Sequence, residues 1–124
     1  MNEARLLTKA QRGRMLANGR ASLKSETFDP RPVVKLFAPD AGATWLLSEI
    51  DPNDHDQAFG LCDLGVGSPE LGWVSLKELE SVRIPASGAH SPPGLPIERD
   101  LHFRAEKCLA AYARDARHAG RIVT

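Results

Sequence analysis

The chain has 124 residues, 42% of them apolar, and its 16 basic and 16 acidic side chains cancel to zero net charge. That length allows one domain with a core of its own, without disulfide or metal staples. Runs such as Trp45-Leu-Leu47 and Cys108-Leu-Ala-Ala111 fall far short of the roughly 20 apolar residues that span a bilayer, and Met1-Asn-Glu-Ala-Arg5 has no apolar stretch behind its charges, so the expectation is a soluble cytoplasmic protein with no membrane partner.

Thr8-Lys-Ala-Gln11 is a capping box, and Asn18-Gly19 is a stop signal, so a first helix is predicted from about Lys9 to Asn18. Leu7, Met15 and Leu16 would supply its core contacts, and Gly13 weakens it by up to about 1 kcal/mol relative to alanine. From Arg20 to Pro32 the chain is polar, and Pro30 and Pro32 forbid a helix through it. Residues 20–32 therefore read as a linker laid on the surface.

Val33–Phe37 and Thr44–Ile50 are strands by β-branched and aromatic content, joined by the tight Pro39-Asp-Ala-Gly42. An acidic loop, Asp51 to Asp56, leads to a third strand, Gln57 to Leu64. Gly65-Val-Gly-Ser-Pro69 has the punctuation of a hairpin connection, and a fourth strand follows from Glu70 to Ser75. Along these arms Phe59, Leu61 and Asp63 share one face and Cys62 and Leu64 the other, while Leu71 and Trp73 oppose Gly72 and Val74. Ser75-Leu-Lys-Glu78 then repeats the capping box and opens a short helix whose stripe is Leu76, Leu79 and Val82.

Residues 85–96, with four prolines and two glycines, read as a long exposed loop. A fifth strand is predicted over Ile97–Phe103, with Ile97, Arg99, Leu101 and Phe103 on one face and Glu98, Asp100 and His102 on the other. The last helix runs from about Glu106 to Ala119, packs through Leu109, Tyr112, Ala113 and Ala116, and stops at Gly120, with Ile122 and Val123 folding back. The fold class that results is α+β: residues 1–124 as one domain, an antiparallel sheet of about five strands covered by about three helices.

Charge is laid out unevenly along this order. Residues 1–24 carry six bases against Glu3, giving +5; residues 104–124 carry five against two acids, giving +3; residues 25–103 carry five against thirteen, giving −8. Such asymmetry fits a polyanion-facing or partner-facing surface, and equally fits basic terminal helices that complement an acidic sheet within the molecule.

Glu98, Asp100 and His102, spaced i, i+2 and i+4 on one predicted strand face, form the sharpest chemical constellation. Mg²⁺ or Mn²⁺ would accept such ligands, with Asp63 or Glu49 completing the set, and a nuclease would use the metal to orient water and neutralise phosphate charge. A sheet with one solvated face shows the same alternation without any ligand. The loop Asp51–Asp56 fails the calcium template, because Asp56 stands where glycine is needed and Cys62 where the bidentate glutamate should be. Gly65-Val-Gly67 precedes a strand and has no Lys-Ser/Thr after it, so it is a turn and not a phosphate cradle. No Gly-x-Ser-x-Gly elbow accompanies Ser75 and His102, and His55 and His90 lie on predicted loops without partners. Cys62 and Cys108, each within an apolar run, read as buried thiols. A nucleic-acid surface would be built from Arg5, Lys9, Arg12 and Arg14, with Trp73 or Phe37 as a stacking platform if either lies exposed near the first helix.

The segments Leu36-Phe-Ala-Pro-Asp-Ala-Gly-Ala-Thr-Trp-Leu-Leu47, Phe59-Gly-Leu-Cys-Asp-Leu-Gly65, Pro69-Glu-Leu-Gly72, Val74-Ser-Leu-Lys-Glu-Leu79 and Gly94-Leu-Pro-Ile-Glu-Arg-Asp-Leu-His-Phe103 carry a resemblance. With them the chain, from Leu6 to Val123, resembles a small bacterial domain family of unknown function found on conjugative plasmids, integrative elements and phages. Some of its members carry an automatic label of single-stranded DNA endonuclease. The resemblance implies an accessory protein of a mobile element and brings no catalytic residues with it. The expected function is therefore a non-catalytic protein, without cofactor, that binds a host or element-encoded protein of the defence or nucleic-acid machinery. The alternatives are a metal-dependent nuclease acting on single-stranded DNA through Glu98, Asp100 and His102, and a nucleic-acid binder using the basic N-terminal helix.

Overall fold

In the computed structural model, which describes residues 3–39, 41–84 and 94–124, the capping box at Thr8 forms as its sequence predicts: Gln11 N donates to Thr8 Oγ1 at 3.0 Å and Thr8 N donates to Gln11 Oε1 at 2.9 Å. In chain order the elements are α1 (Glu3–Leu6), α2 (Lys9–Ser22), β1 (Val34–Phe37), β2 (Thr44–Asp51), β3 (Asp54–Asp63), β4 (Glu70–Ser75), α3 (Leu76–Ser81), β5 (Arg83–Ile84), β6 (Leu95–Pro96), β7 (Glu98–Arg99) and α4 (Leu109–Ala119). The first four strands form the predicted antiparallel meander, and β7 adds to β1, so that the five-stranded order is β4-β3-β2-β1-β7. The protein is α+β, as its sequence predicts.

Both faces of this sheet are covered. Leu6, Leu7 and Met15 from the N-terminal segment and Leu76 and Leu79 from α3 pack over Leu36, Trp45, Leu47, Ile50 and Ile97. On the opposite face, α4 lays Leu109, Tyr112, Ala113 and Ala116 on Leu46 and Leu61, and Ile122 folds back onto the same cluster. Alternation along β2 feeds both layers, and a bulge between Leu47 and Glu49 shifts it so that Leu47 and Ile50 join the same cluster.

Several boundaries move for identifiable reasons. Helix α2 continues past Asn18-Gly19 to Ser22, because Gly19 is where the helix meets β2: a Cβ there would lie 1.9 Å from Ile50 O. Asn18 Nδ2 donates to Ser48 O at 2.8 Å, and Ser22 Oγ to the buried Glu49 Oε2 at 2.7 Å, so this last stretch is held by the bulged strand. The predicted acidic loop is a tight hairpin in which Asp51 faces Asp54 and Asn53 N donates to Asp51 Oδ1 at 2.8 Å; β3 thus starts at Asp54, three residues early.

Helix α4 begins at Leu109, later than predicted, and its first amides are satisfied from far away. Leu109 N donates to Pro30 O at 2.9 Å and Ala110 N to Asp29 Oδ1 at 3.1 Å, which pins the linker to the helix start. Cys108, the residue before that first turn, is exposed, against the expectation of a buried thiol, while Cys62 is half-buried in the sheet. Burial, reinforced by the charge of Glu70, pushes the Cys62 thiol up to about 11. Leu95-Pro96 pairs with Arg83-Ile84 in a two-stranded ribbon, so the end of the predicted loop is regular; residues 85–93, His90 among them, lie outside the described residues.

Candidate functional site

The grouping of Glu98, Asp100 and His102 depends on a strand that stops early. Beyond Arg99 the chain turns: Asp100 N donates to Lys35 O at 2.9 Å, Asp100 Oδ1 accepts from His102 N at 2.9 Å, and Leu101, predicted to share a face with Ile97, is 75% exposed. Ile97 remains fully buried, so the alternation holds only through Arg99. Glu98, Asp100 and His102 therefore do not line one strand face. Asp100 instead faces the Lys35 ammonium at 3.8 Å, and Lys35 also donates to Thr124 Oγ1 at 2.7 Å. Neither supplementary carboxylate is near: Asp63 is buried beneath the C-terminal tail, accepting from Gly65 N at 2.8 Å and Ile122 N at 2.9 Å, and Glu49 is bonded to Ser22 on the other face. Among the described residues no three His, Cys, Asp or Glu side chains are grouped to hold a metal ion.

The four N-terminal bases are likewise dispersed. Arg5 is turned inward, donating to Ile97 O and, at 2.8 Å, to Glu80 O, with Glu80 Oε1 at 3.5 Å. Arg12 lines a crevice with Leu6, Leu7, Leu76 and Glu80, Lys9 faces solvent, and Arg14 opens onto a separate cleft. Arg5 sits on the separate α1, and on α2 Arg12 and Arg14 diverge because residues two apart on one helix lie about 200° around it.

The most exposed apolar surface built on regular structure is on β4. As the outer strand of the sheet it pairs with β3 on one side alone among the described residues. Leu71 and Trp73 project from it, 43% and 50% exposed, on the face that α4 covers further in. Trp73 rests on its cross-strand neighbour Phe59, ring centroids 5.2 Å apart, a contact of the kind worth about 0.5–1.5 kcal/mol beyond buried area. Leu64 and Val66 extend the apolar surface at the turn into the strand. Trp73 is thus exposed but stands on the face opposite α2, and Phe37 is half-buried at the far side of the sheet beside Lys35 and Asp100. Sequence spacing located the Leu71/Trp73 stripe; that no helix covers it was not readable, because α4 could have been placed over either pair of strands.

At the inner end of β4 the chain changes from strand to helix at Ser75. Its Oγ accepts from Glu78 N at 3.1 Å and donates to Asp56 Oδ2 at 2.6 Å, while Lys77 N donates to Asp56 Oδ1 at 2.8 Å. The carboxylate completing this cap is Asp56, from β3, in place of the Glu78 arm that the capping-box pattern predicts. Burial acts to raise the Asp56 carboxyl, but the hydrogen bonds from Ser75 and Lys77 and the Lys77 charge outweigh it and hold it below the usual carboxylate range. The junction fixes where β4 ends and so how Trp73 is presented.

A family model described as a protein of unknown function (DUF2958) matches residues 6–123, and the chain belongs to that family. No curated protein and no solved structure matches it.

Proposed function

We propose that this member of the DUF2958 family is a non-catalytic binding protein that holds a partner protein along β4. The observation that carries the reading is the outer edge of Glu70–Ser75, unpaired among the described residues, with Leu71 and Trp73 exposed beside it. Sheets that must remain alone protect their edges with lysine, proline or inward charge. The stretch Glu70-Leu-Gly-Trp-Val-Ser75 has none of these between its ends. An extended segment of a partner would bond its backbone to the free edge and set alternate apolar side chains against Leu71 and Trp73. Aromatic anchors of this type dominate binding energy at protein interfaces.

The biological setting comes from the family resemblance: an accessory protein of a plasmid, integrative element or phage, acting in the host cytoplasm on a protein of the defence or nucleic-acid machinery. The nuclease alternative is not adopted, because its support was the common face of Glu98, Asp100 and His102.

Placing a photo-crosslinking residue at Glu70 and recovering the adduct from host cells tests the reading. We expect one protein in the adduct, lost in Leu71→Ser and Trp73→Ser variants whose thermal melts remain cooperative. Recovery of the same protein with both variants, or of nucleic acid alone, would remove β4 as the binding surface.

A further inference from the structure

A second surface gathers cationic side chains from three distant segments. Arg14 from α2, Arg31 from the linker and Arg104 from the segment before α4 line one cleft of about 430 Å³, together with Gln11, Pro32, Val33, Phe103 and Ala105. No acidic residue lines it. All three arginines are exposed, and among the described residues none of their guanidinium groups forms a hydrogen bond or ion pair, whereas Arg5 and Arg83 are tied to backbone carbonyls and Lys35 and Lys107 to carboxylates. Single solvated arginines on a helix face are ordinary. Three converging from positions 14, 31 and 104 on one concavity with no acid in its own lining leave a positive potential that a low-dielectric wall focuses, although Arg104 and Phe103 also border a neighbouring cleft that holds Asp100 and Glu106.

From this arrangement we infer a binding site for a phosphate-bearing ligand of nucleotide size. Guanidinium forks match phosphate oxygens bidentately, better than lysine would. The Gln11 side-chain oxygen is already engaged by Thr8 N, which orients its amide nitrogen as a further donor. The remaining wall, Val33, Phe103 and Ala105, is apolar, and Phe103 is half-buried with its ring 6.4 Å from that of Tyr112. Inorganic phosphate would leave that wall unused; a nucleoside phosphate places its base against it, since a ring face accepts any base. The volume falls within the range of about 300–1,000 Å³ typical of small-ligand sites. Such a ligand has two sources, a free mononucleotide or one nucleotide of a single strand, and both present the same phosphate and base.

The test titrates the full chain with inorganic phosphate, dTMP and labelled oligo-dT, followed by calorimetry and anisotropy. Three proteins are compared: wild type, Arg14→Gln/Arg31→Gln/Arg104→Gln, and a control with the same loss of three charges at the C-terminal end, Arg114→Gln/Arg117→Gln/Arg121→Gln. We expect dTMP or oligo-dT to bind wild type and control alike, and the cleft variant to lose about tenfold or more, as expected when charge-assisted phosphate contacts go. Binding of dTMP identifies a free nucleotide; binding of oligo-dT alone identifies a single strand, with affinity falling with added salt. Equal loss in the control, phosphate binding as tightly as dTMP, or no binding to wild type would each overturn the inference.

Discussion

Two glycines on the same helix separate local from tertiary constraint at the scale of single residues. A Cβ at Gly13 would meet nothing within 4 Å, so alanine there brings only its better helix propensity, a gain of about 0.5–1 kcal/mol. At Gly19 the same propensity gain is opposed by a Cβ 1.9 Å from Ile50 O and 3.2 Å from Pro52 Cδ, which α2 can relieve only by lifting off β2. Overpacking of this kind costs about 1–3 kcal/mol or more. Gly13→Ala is therefore expected to raise the denaturant midpoint and Gly19→Ala to lower it. Equal shifts in the two titrations would mean that α2 does not approach β2 so closely.

At the scale of elements, the β4–α3 junction is a cap shared between a local serine and a carboxylate from another strand. Because Asp56 has its folded-state pKa lowered, its contribution to stability is present above the unfolded-state value and is lost as pH falls through the folded one. Asp56→Asn should consequently destabilise the protein at neutral pH, and the gap to wild type should close below about pH 4, where the unfolded carboxyl protonates. A gap that stays constant from pH 7 to acid, followed by urea titration at each pH, would show that the carboxylate charge plays no part. Ser75 joins both halves of the cap, so Ser75→Ala removes the oxygen that receives Glu78 N and costs about 0.5–2 kcal/mol.

For the whole molecule, the sheet between two helical layers makes the two cysteines report different events. Cys108 is exposed before α4, whereas Cys62 packs against the α2/α3 layer with its thiol raised to about 11, so little thiolate forms at neutral pH. A disulfide-exchange reagent should label Cys108 at once and Cys62 only at the rate of unfolding, its labelling rising with urea through the global transition. Rapid reaction of both thiols in native buffer would place Cys62 outside the core. The same layering explains why neither face is solvated in the middle of the sheet: Leu46 and Leu61 lie beneath α4 while Trp45 and Leu47 lie beneath the other helices, and within this sheet the large exposed apolar residues among the described ones, Leu71 and Trp73, are at the rim on β4.

What the sequence by itself determined are the features fixed by residues close along the chain. The cap at Thr8, the Ser75–Glu78 half of the second cap, the hairpin at Gly65–Pro69 and the left-handed stop at Gly120 each depend on backbone dihedrals and hydrogen bonds spanning a few residues, and the meander order follows from the short connections between successive strands. Tertiary structure decided the features that rest on pairs far apart. Gly19 became an interior helix position because Ile50 lies against it, and the last strand ended at Arg99 because Asp100 turns back toward Lys35. Asp29 and Pro30 came to cap α4 across about eighty residues. Of the predicted N-terminal bases, Arg5 and Arg12 came to lie beside Glu80 and Lys9 in solvent, while Arg14 acquired Arg31 and Arg104 as neighbours. Periodicity assigns a side chain to a face of its own element; which other element meets that face is set by burying both at once, and that balance has no local signature in the chain.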